Sequence, residues 1–259
     1  MKNKNIEFIY EDDDIVVLTK PAGVFSIPDR WKKEDANLYT ILKEKYGTIF
    51  TVHRLDRDTS GVIVFAKHAI AHKHLNQQFQ EHTVKKHYHV VVSGVVAEDE
   101  IKIDIPLMDH PGKPGQTIPS LRGKESLTIM KVLEKYSGTS LVECNLITGR
   151  HHQIRVHCAA IGYPLLVDEL YGSSKEFFIS SIKRKFKLKK NSEEKPIISR
   201  ITMHSYQIEF LHPATNLPVT FNSEYPKDFR ALLQVLRKYS ALPDYYKTPS
   251  KFNFEQVVE

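Results

Sequence analysis

Short apolar runs rich in β-branched residues recur along the chain, and they constrain the fold more than any other feature. Runs of this length, bounded by turn residues, are typical of strands. They occur at 6–10, 15–19, 62–67, 87–94, 201–211 and 218–223, and the stretch 95–147 is predicted to be all β. Several neighbours can pair as hairpins. The pattern predicts a large mixed, mainly antiparallel sheet and not a doubly wound parallel one.

Helical spacing of apolar residues is found in fewer segments. These are 36–46, 68–82, 152–162 and 226–239. Gly47 and Gly162 follow two of them, and glycine is common at helix C-caps. The predicted fold class is therefore α+β, with helices flanking the sheet. A length of 259 residues fits one large domain or two small ones, and no internal repeat is visible.

Cysteine content and apolar run length indicate the cellular compartment. Cys144 and Cys158 are the only cysteines, too few for a disulfide framework, so a reduced cytoplasmic setting is expected. The N-terminus turns acidic where a signal peptide would be apolar. No apolar run approaches the roughly 18 residues of a membrane-spanning helix.

Several cofactor and hydrolase motifs are missing from the sequence. It contains neither GxxxxGK[ST] nor GxGxxG, which cradle phosphates, and no GxSxG serine motif. Histidines cluster at 68–74 and 151–157, but neither cluster supplies a third or fourth ligand at standard spacing. We therefore expect no cofactor and no metal.

Positive charge is concentrated in one segment. The chain carries a formal net charge of +6, and residues 173–200 contain nine bases and three acids, which equals that excess. The run KRKFKLKK at 183–190 has six bases in eight positions. It is either a solvated surface excursion or a patch that binds nucleic acid.

Two polar stretches are dense in groups that can do chemistry. VHRLDRDTSGVIVFAK at 52–67 leads a charged turn into an apolar strand, where a carboxylate could lie at a cleft. The alternative is a turn in which Asp56 or Asp58 accepts backbone hydrogen bonds. TGRHHQIRVH at 148–157 places basic side chains at a helix start, which suits capture of an anion. The alternative is an ordinary amphipathic helix.

Both stretches resemble motifs of the RluA family of RNA pseudouridine synthases. HRLDRDTSG at 53–61 is similar to the family's HRLDxxTSG, and residues 149–172 are similar to GRTHQIRxHxxxxGxPxxGDxxYG. Further segments resemble family motifs in the same order, namely IVVLTKPAGV at 15–24, KKHYHVVVSG at 85–94 and MHSYQIEFLHPATNLPVTF at 203–221. The chain departs from the pattern at His151, where threonine is usual, and at Val167, where glycine is usual.

The resemblance implies a fold and a reaction. It implies a pseudouridine synthase domain over 6–240 with a central RNA-binding cleft, a basic insertion at about 173–200, a tail at 241–259 and no N-terminal S4 domain. The implied enzyme is a cytoplasmic, monomeric isomerase without a cofactor. It would convert uridines of ribosomal RNA, most often of the large subunit, or of transfer RNA to pseudouridine.

The resemblance also implies the catalytic residues. Asp56 is the carboxylate that acts on the ribose, as a nucleophile or as a base, and Arg155 is the cation paired with it. Tyr88 stacks on the target base. Arg54 helps to displace the target nucleotide, because a stacked uridine must be flipped out before it can react. The other expected RNA contacts are His53, Arg57, Thr59, Lys86, Arg150, His152, Gln153, Lys185 and Lys187.

Two other functions stay open at this point. The first is an RNA-binding protein without activity. The second is a hydrolase of the glycosidic bond, a reaction that commonly uses two carboxylates about 5–9 Å apart. Asp58 is the only partner for Asp56 that lies nearby in the sequence.

Overall fold

The structure is a computed structural model, and it describes residues 6–28, 36–188 and 192–242. The strands are β1 (Glu7–Glu11), β2 (Ile15–Lys20), β3 (Phe50–Thr51), β4 (Ser60–Ala66), β5 (Lys85–Ser93), β6 (Glu100–Asp104), β7 (Leu107–Asp109), β8 (Thr117–Pro119), β9 (Leu127–Tyr136), β10 (Thr139–Leu146), β11 (Met203–Leu211) and β12 (Pro218–Asn222). The helices are α1 (Leu38–Tyr46), α2 (Ala69–Gln80), α3 (Gln153–Ala160) and α4 (Lys227–Tyr239), with a short 3-10 turn at Ile179–Ser181.

Ten of these strands form one sheet. Its order is β1-β2-β4-β11-β5-β10-β9-β6, with β12 paired to β11 and β3 to β4. The pairs are antiparallel except for β4 with β11, which run parallel. Strands β7 and β8 form a separate hairpin. The predicted α+β class and the mixed, mainly antiparallel sheet are confirmed.

Alternate side chains of the strands form cores on the two faces of the sheet. On β2, Val16 and Leu18 pack in one cluster with residues of α1 and α3, while Ile15 and Val17 pack against α2. Farther along that second face, Val91 packs in a cluster with residues of α4. Helices α1 and α3 therefore share one face of the sheet, and α2 and α4 cover the other.

The helix ends follow the capping signals, with one exception. Asn37 accepts a hydrogen bond from the Thr40 amide at the start of α1, and Gly47 ends that helix at φ 74°. Helix α3 begins at Gln153. The sequence pattern predicted basic side chains at the start of this helix, but Arg150, His151 and His152 all precede it. His152 has φ 54°, which lies in the left-handed region and outside the helix. Both histidines therefore precede the helix.

The basic insertion is anchored at both ends. Phe177 and Ile198 are buried, form a β-bridge with each other and pack against α4. Arg200 makes a two-bonded ion pair with Asp228 of α4. The predicted contacts Lys189 and Lys190 of its basic run lie outside the described residues.

Within the described ranges, none of the helices combines the length and apolar character needed to cross a membrane.

Candidate active site

The loop at 52–59, which carries the first motif into β4, is braced by the turn that follows β2. Lys20 is fully buried, and its Nζ donates to the main-chain carbonyl of Arg57 at 2.8 Å. Ser26 Oγ donates to the carbonyl of Leu55 at 2.9 Å and accepts from its amide at 3.0 Å. Lys20 and Ser26 thus hold the residues on both sides of position 56.

Asp56 is half-buried, and its carboxylate is not used to build the loop. The turn is closed by its main-chain carbonyl, which accepts from the Thr59 amide at 3.2 Å. Over the described ranges, no hydrogen bond to the Asp56 carboxylate is found. The alternative in which this carboxylate serves as a turn-forming acceptor is therefore wrong, and the group is available to a ligand.

The far end of the loop is fixed where β4 meets β11. Gly61 pairs with Ser205, and a Cβ added to Gly61 would lie 2.1 Å from the Ser205 carbonyl oxygen. Gly61 also has φ 122°, a conformation that other residues rarely adopt. On the other side of β11, Ser205 is paired with Tyr88 of β5. This close approach brings the loop and Tyr88 together.

Two adjoining cavities meet at Asp56. The larger has a volume of about 650 Å³ and is lined by residues from both motifs, including Asp56, Tyr88 and His152. The second, of about 440 Å³, shares Asp56 and His152 and extends toward Phe25. Asp56 thus lies on a wall common to both.

Tyr88 presents a neutral phenol to the larger cavity. It is 6% exposed. Burial raises the pKa of Tyr88 above its ordinary value, and the negative charge of Asp56 raises it further, against the lowering effect of a hydrogen bond with Ser205. The ring therefore stays protonated at neutral pH.

Arg155 is bound to Asp168, which corrects the predicted pairing with Asp56. Its Nε and Nη2 each donate to Asp168 carboxylate oxygens at 2.7 Å, and both side chains are buried. Burial lowers the pKa of Arg155, but the bond to Asp168 and the charges of Asp168 and Asp56 leave it raised overall. Asp56 therefore interacts with Arg155 through its charge, while Asp168 holds the guanidinium in place.

The two histidines before α3 face Asp56. His152 Nε2 lies 3.9 Å from Asp56 Oδ2, and His152 Nδ1 is 2.8 Å from the Tyr171 hydroxyl. Burial and nearby cations lower the pKa of His152 to about 2, so this ring is neutral and its contact with Asp56 is not an ion pair. The His151 ring stacks on that of His152 with centroids 3.7 Å apart.

Three predicted RNA contacts lie deep in the cavity wall. His53 accepts from the Val64 amide at 3.1 Å, and burial, followed by the charge of Lys86, lowers its pKa to about 3. Lys86 is 8% exposed, and burial lowers its pKa to about 8. Thr59 is also buried, and within the described ranges its hydroxyl has no hydrogen-bond partner. All three line the larger cavity.

Gln153 holds the turn before α3 and has no free hydrogen-bonding capacity. Its Oε1 accepts from Thr148 Oγ1 and the Arg150 amide, and its Nε2 donates to Leu127 O and Thr128 Oγ1. Gln153 also lines the larger cavity, and its contact with RNA stays a prediction.

Three other arginines of the two motifs lie nearer the solvent than Arg155. Arg54 and Arg57 are exposed, and the Arg57 guanidinium lies over the Phe25 ring, 5.4 Å from its centroid. Arg54 lines both cavities. Arg150 lines the larger one and donates from Nε to the Glu125 carbonyl at 3.1 Å. These three are positioned to meet a ligand that enters from outside.

Lys185 and Lys187 are exposed and line neither of these cavities. The structure does not bring them together with the motif residues, and their contact with RNA stays a prediction.

The candidate site also contains residues that the sequence reasoning missed. Asp168 and Tyr171 orient Arg155 and His152, and both fall on fixed letters of the second family pattern, which was the available signal. A ring nitrogen of His151, a ring nitrogen of His152 and a carboxylate oxygen of Asp56 all lie within 4.8 Å of one another. This triad was not predicted because the carboxylate comes from the other motif.

Residues 14–160 match the family model described as RNA pseudouridylate synthase. The chain belongs to this family. It is an RNA isomerase.

Curated relatives of this RNA pseudouridylate synthase cover most of the chain. It is 34% identical over 220 residues to the dual-specificity RNA pseudouridine synthase RluA of Pasteurella multocida, an alignment that covers 84% of this chain and 92% of the relative. It is 34% identical over 243 residues to the ribosomal large subunit pseudouridine synthase D of Neisseria meningitidis serogroup B, with coverage of 92% and 63%.

Solved structures share the fold of this synthase. The chain is similar to human RNA pseudouridylate synthase domain containing 4, with a TM-score of 0.68, 22% identity and coverage of 92% of this chain and 94% of that chain. At this identity the similarity concerns the fold, and it agrees with the predicted pseudouridine synthase architecture.

Proposed function

We propose that this synthase converts uridines to pseudouridine in ribosomal RNA, transfer RNA or both, and that Asp56 is the carboxylate that acts on the ribose. The main support is the position of Asp56, which lies on the wall between two cavities with a carboxylate that accepts no hydrogen bond over the described ranges. The RNA classes are suggested by the names of the Pasteurella and Neisseria relatives.

The reaction needs few groups. The bond between ribose C1′ and uracil N1 breaks, the base turns, and C1′ bonds to C5, which loses its proton while N1 gains one. Nothing is added, so the product is an isomer. In the proposal the Asp56 carboxylate acts on the ribose as a nucleophile or as a base, and the Arg155 guanidinium supplies a positive charge beside it. Tyr88 supplies an aromatic surface for the detached base.

Entry of the substrate requires a flipped-out nucleotide. A uridine inside a helix is shielded by its neighbours, and its extrusion costs a few kcal/mol. Arg54, exposed at the rim of both cavities, is proposed to fill or hold the opened position. Arg57 over Phe25 is proposed to contact a neighbouring nucleotide.

The hydrolase alternative receives little support. Asp58 is exposed and lines neither of the two cavities, so it cannot serve as the second carboxylate. Asp109 of β7 does line the larger cavity. The test of function should therefore measure released uracil as well as pseudouridine.

The extent of the catalytic domain is also a proposal. We assign it to residues 6–240, acting in the cytoplasm as a monomer. The tail from residue 243 onward lies outside the described residues.

The test is incubation of the purified full chain with transcripts of large-subunit ribosomal RNA and of transfer RNA, without a cofactor. Pseudouridine at discrete positions is expected. Unchanged RNA or free uracil would contradict the proposal. Site-resolved mapping of cellular RNA with and without the gene then identifies the targets.

A further inference from the structure

Asp56, His151 and His152 form a compact set of potential metal ligands. One ligating atom from each lies within 4.8 Å of those of the other two. A zinc ion with bonds of about 2.0–2.1 Å holds its tetrahedral ligand atoms about 3.3 Å apart. The measured 3.9 Å between His152 Nε2 and Asp56 Oδ2 is therefore close to the spacing that a bound ion would impose.

Hydrogen bonds on the outer side of both rings support this use. His151 Nδ1 is 3.0 Å from Thr117 Oγ1, and His152 Nδ1 is 2.8 Å from the Tyr171 hydroxyl oxygen. When Nδ1–H donates to these oxygens, the lone pair of each imidazole lies on Nε2. Metal-binding histidines are commonly held by such a second hydrogen bond, which fixes the ring and its tautomer.

The position of the triad allows an ion to enter. All three residues line both cavities, so water can complete the coordination. The His152 imidazole is not needed to close α3, since it makes no side-chain cap for that helix.

The donor atoms select the class of ion. Arg54 lines both cavities, and its positive charge disfavours every divalent cation alike. Mg²⁺ is held by oxygen ligands. Two imidazoles and one carboxylate suit zinc and similar transition metals.

We propose that Asp56, His151 and His152 bind a divalent transition metal ion, with zinc as the best match, and that its binding inhibits the enzyme. The inhibition rests on the proposed function, since the ion would occupy the carboxylate that acts on the ribose. His151 distinguishes this chain from the family pattern, which has threonine at the same position, so the proposed metal site depends on a residue that the pattern lacks. A threonine hydroxyl is a poor zinc ligand.

Binding is tested without reference to activity. The chelator-treated full chain is titrated with Co²⁺, whose visible absorption is strong in tetrahedral sites, and the bound cobalt is then displaced with Zn²⁺. We expect a single tetrahedral site that Mg²⁺ does not displace. The His151→Thr variant should bind about tenfold more weakly or worse, while His74→Asn, at a residue that lines neither cavity, should bind as wild type. Equal cobalt spectra and affinities for wild type and His151→Thr would overturn the site.

Inhibition is tested in the pseudouridine assay with and without zinc. We expect zinc to slow the wild type, and EDTA to restore its rate. His151→Thr, compared with its own zinc-free rate, should be about tenfold less sensitive. Cobalt binding without zinc inhibition would overturn the inhibitory role. Absence of pseudouridine in zinc-free buffer would instead contradict the proposed function, while the cobalt titration would still decide the metal site.

Discussion

Replacing Asp168 by asparagine tests the buried ion pair that positions Arg155. Asp168 is 1% exposed and Arg155 is 6% exposed. One carboxylate oxygen also accepts from the amides of Leu170 and Tyr171, at 2.9 and 3.1 Å. An asparagine keeps one acceptor for these contacts. Its NH₂ group, however, would face the Arg155 donors, and the guanidinium would lose its buried counter-charge.

The expected loss of stability is large. Removing one partner of a buried ion pair costs about 3–5 kcal/mol, because an uncompensated charge stays buried. For a domain of this size each kcal/mol lowers Tm by about 2–4 °C, which gives a drop of about 6–20 °C for Asp168→Asn. Arg155→Lys should cost about 1.5–3 kcal/mol, because one of the two charge-assisted hydrogen bonds is lost.

The assay is urea and thermal unfolding, and the adjacent residue supplies a matched control. Glu169 pairs with Lys175, and both side chains are largely exposed. Glu169→Gln should therefore change the free energy of unfolding by less than about 1 kcal/mol. If Asp168→Asn is as mild as Glu169→Gln, the buried pair does not hold this part of the site.

Three further predictions concern packing, pH and salt. Gly61→Ala should cost about 2–4 kcal/mol of unfolding free energy, since it combines a clash with β11 and backbone strain; Gly138→Ala, with open space around its Cβ, should cost less, and equal losses would refute the clash. Lys86 has a pKa of about 8 in the folded chain and an ordinary one when unfolded. The unfolded state therefore holds more protons between pH 8 and about 10.5, so stability should rise with pH there by up to about 1.4 kcal/mol per unit. Lys86→Met should flatten this rise, and an unchanged slope in urea unfolding would contradict the assignment. The double variant Lys185→Gln and Lys187→Gln should weaken RNA binding and reduce its logarithmic salt slope by about 0.7 per lost contact, without changing the modified uridine. An unchanged slope would leave the segment as a solvated loop.

The fold was predictable because its signals are local. Strands β2, β4 and β5 contain β-branched runs that are apolar throughout or alternate apolar and polar residues, as buried strands do. Gly47, a typical C-cap residue, ends α1 with a positive φ. The start of α3 was not predictable in the same way. The left-handed conformation of His152 belongs to a turn that Gln153 holds, and the His152 ring is bound by Tyr171, a residue beyond the helix.

The candidate site was predictable as a set of residues but not as a set of contacts. The motif letters singled out Asp56 and Tyr88, which line one cavity, and Arg155, whose pKa is raised in part by the charge of Asp56. The partner of Arg155 could not be chosen from sequence, because Asp56 and Asp168 are both carboxylates within family motifs. The choice depends on which of them is buried against the guanidinium, and this is set by tertiary packing.

The central claim is tested most directly by one pair of variants in a single assay. Asp56→Asn keeps the shape of the side chain but removes its ionised carboxylate, and Asp58→Asn makes the same change on an exposed neighbour in the same loop. Pseudouridine formation and RNA affinity are measured for both variants on the RNA that the wild type modifies. The account predicts that Asp56→Asn forms no pseudouridine while it binds RNA nearly as well as wild type, and that Asp58→Asn stays active. Full activity in Asp56→Asn, or loss of activity in Asp58→Asn alone, would contradict it.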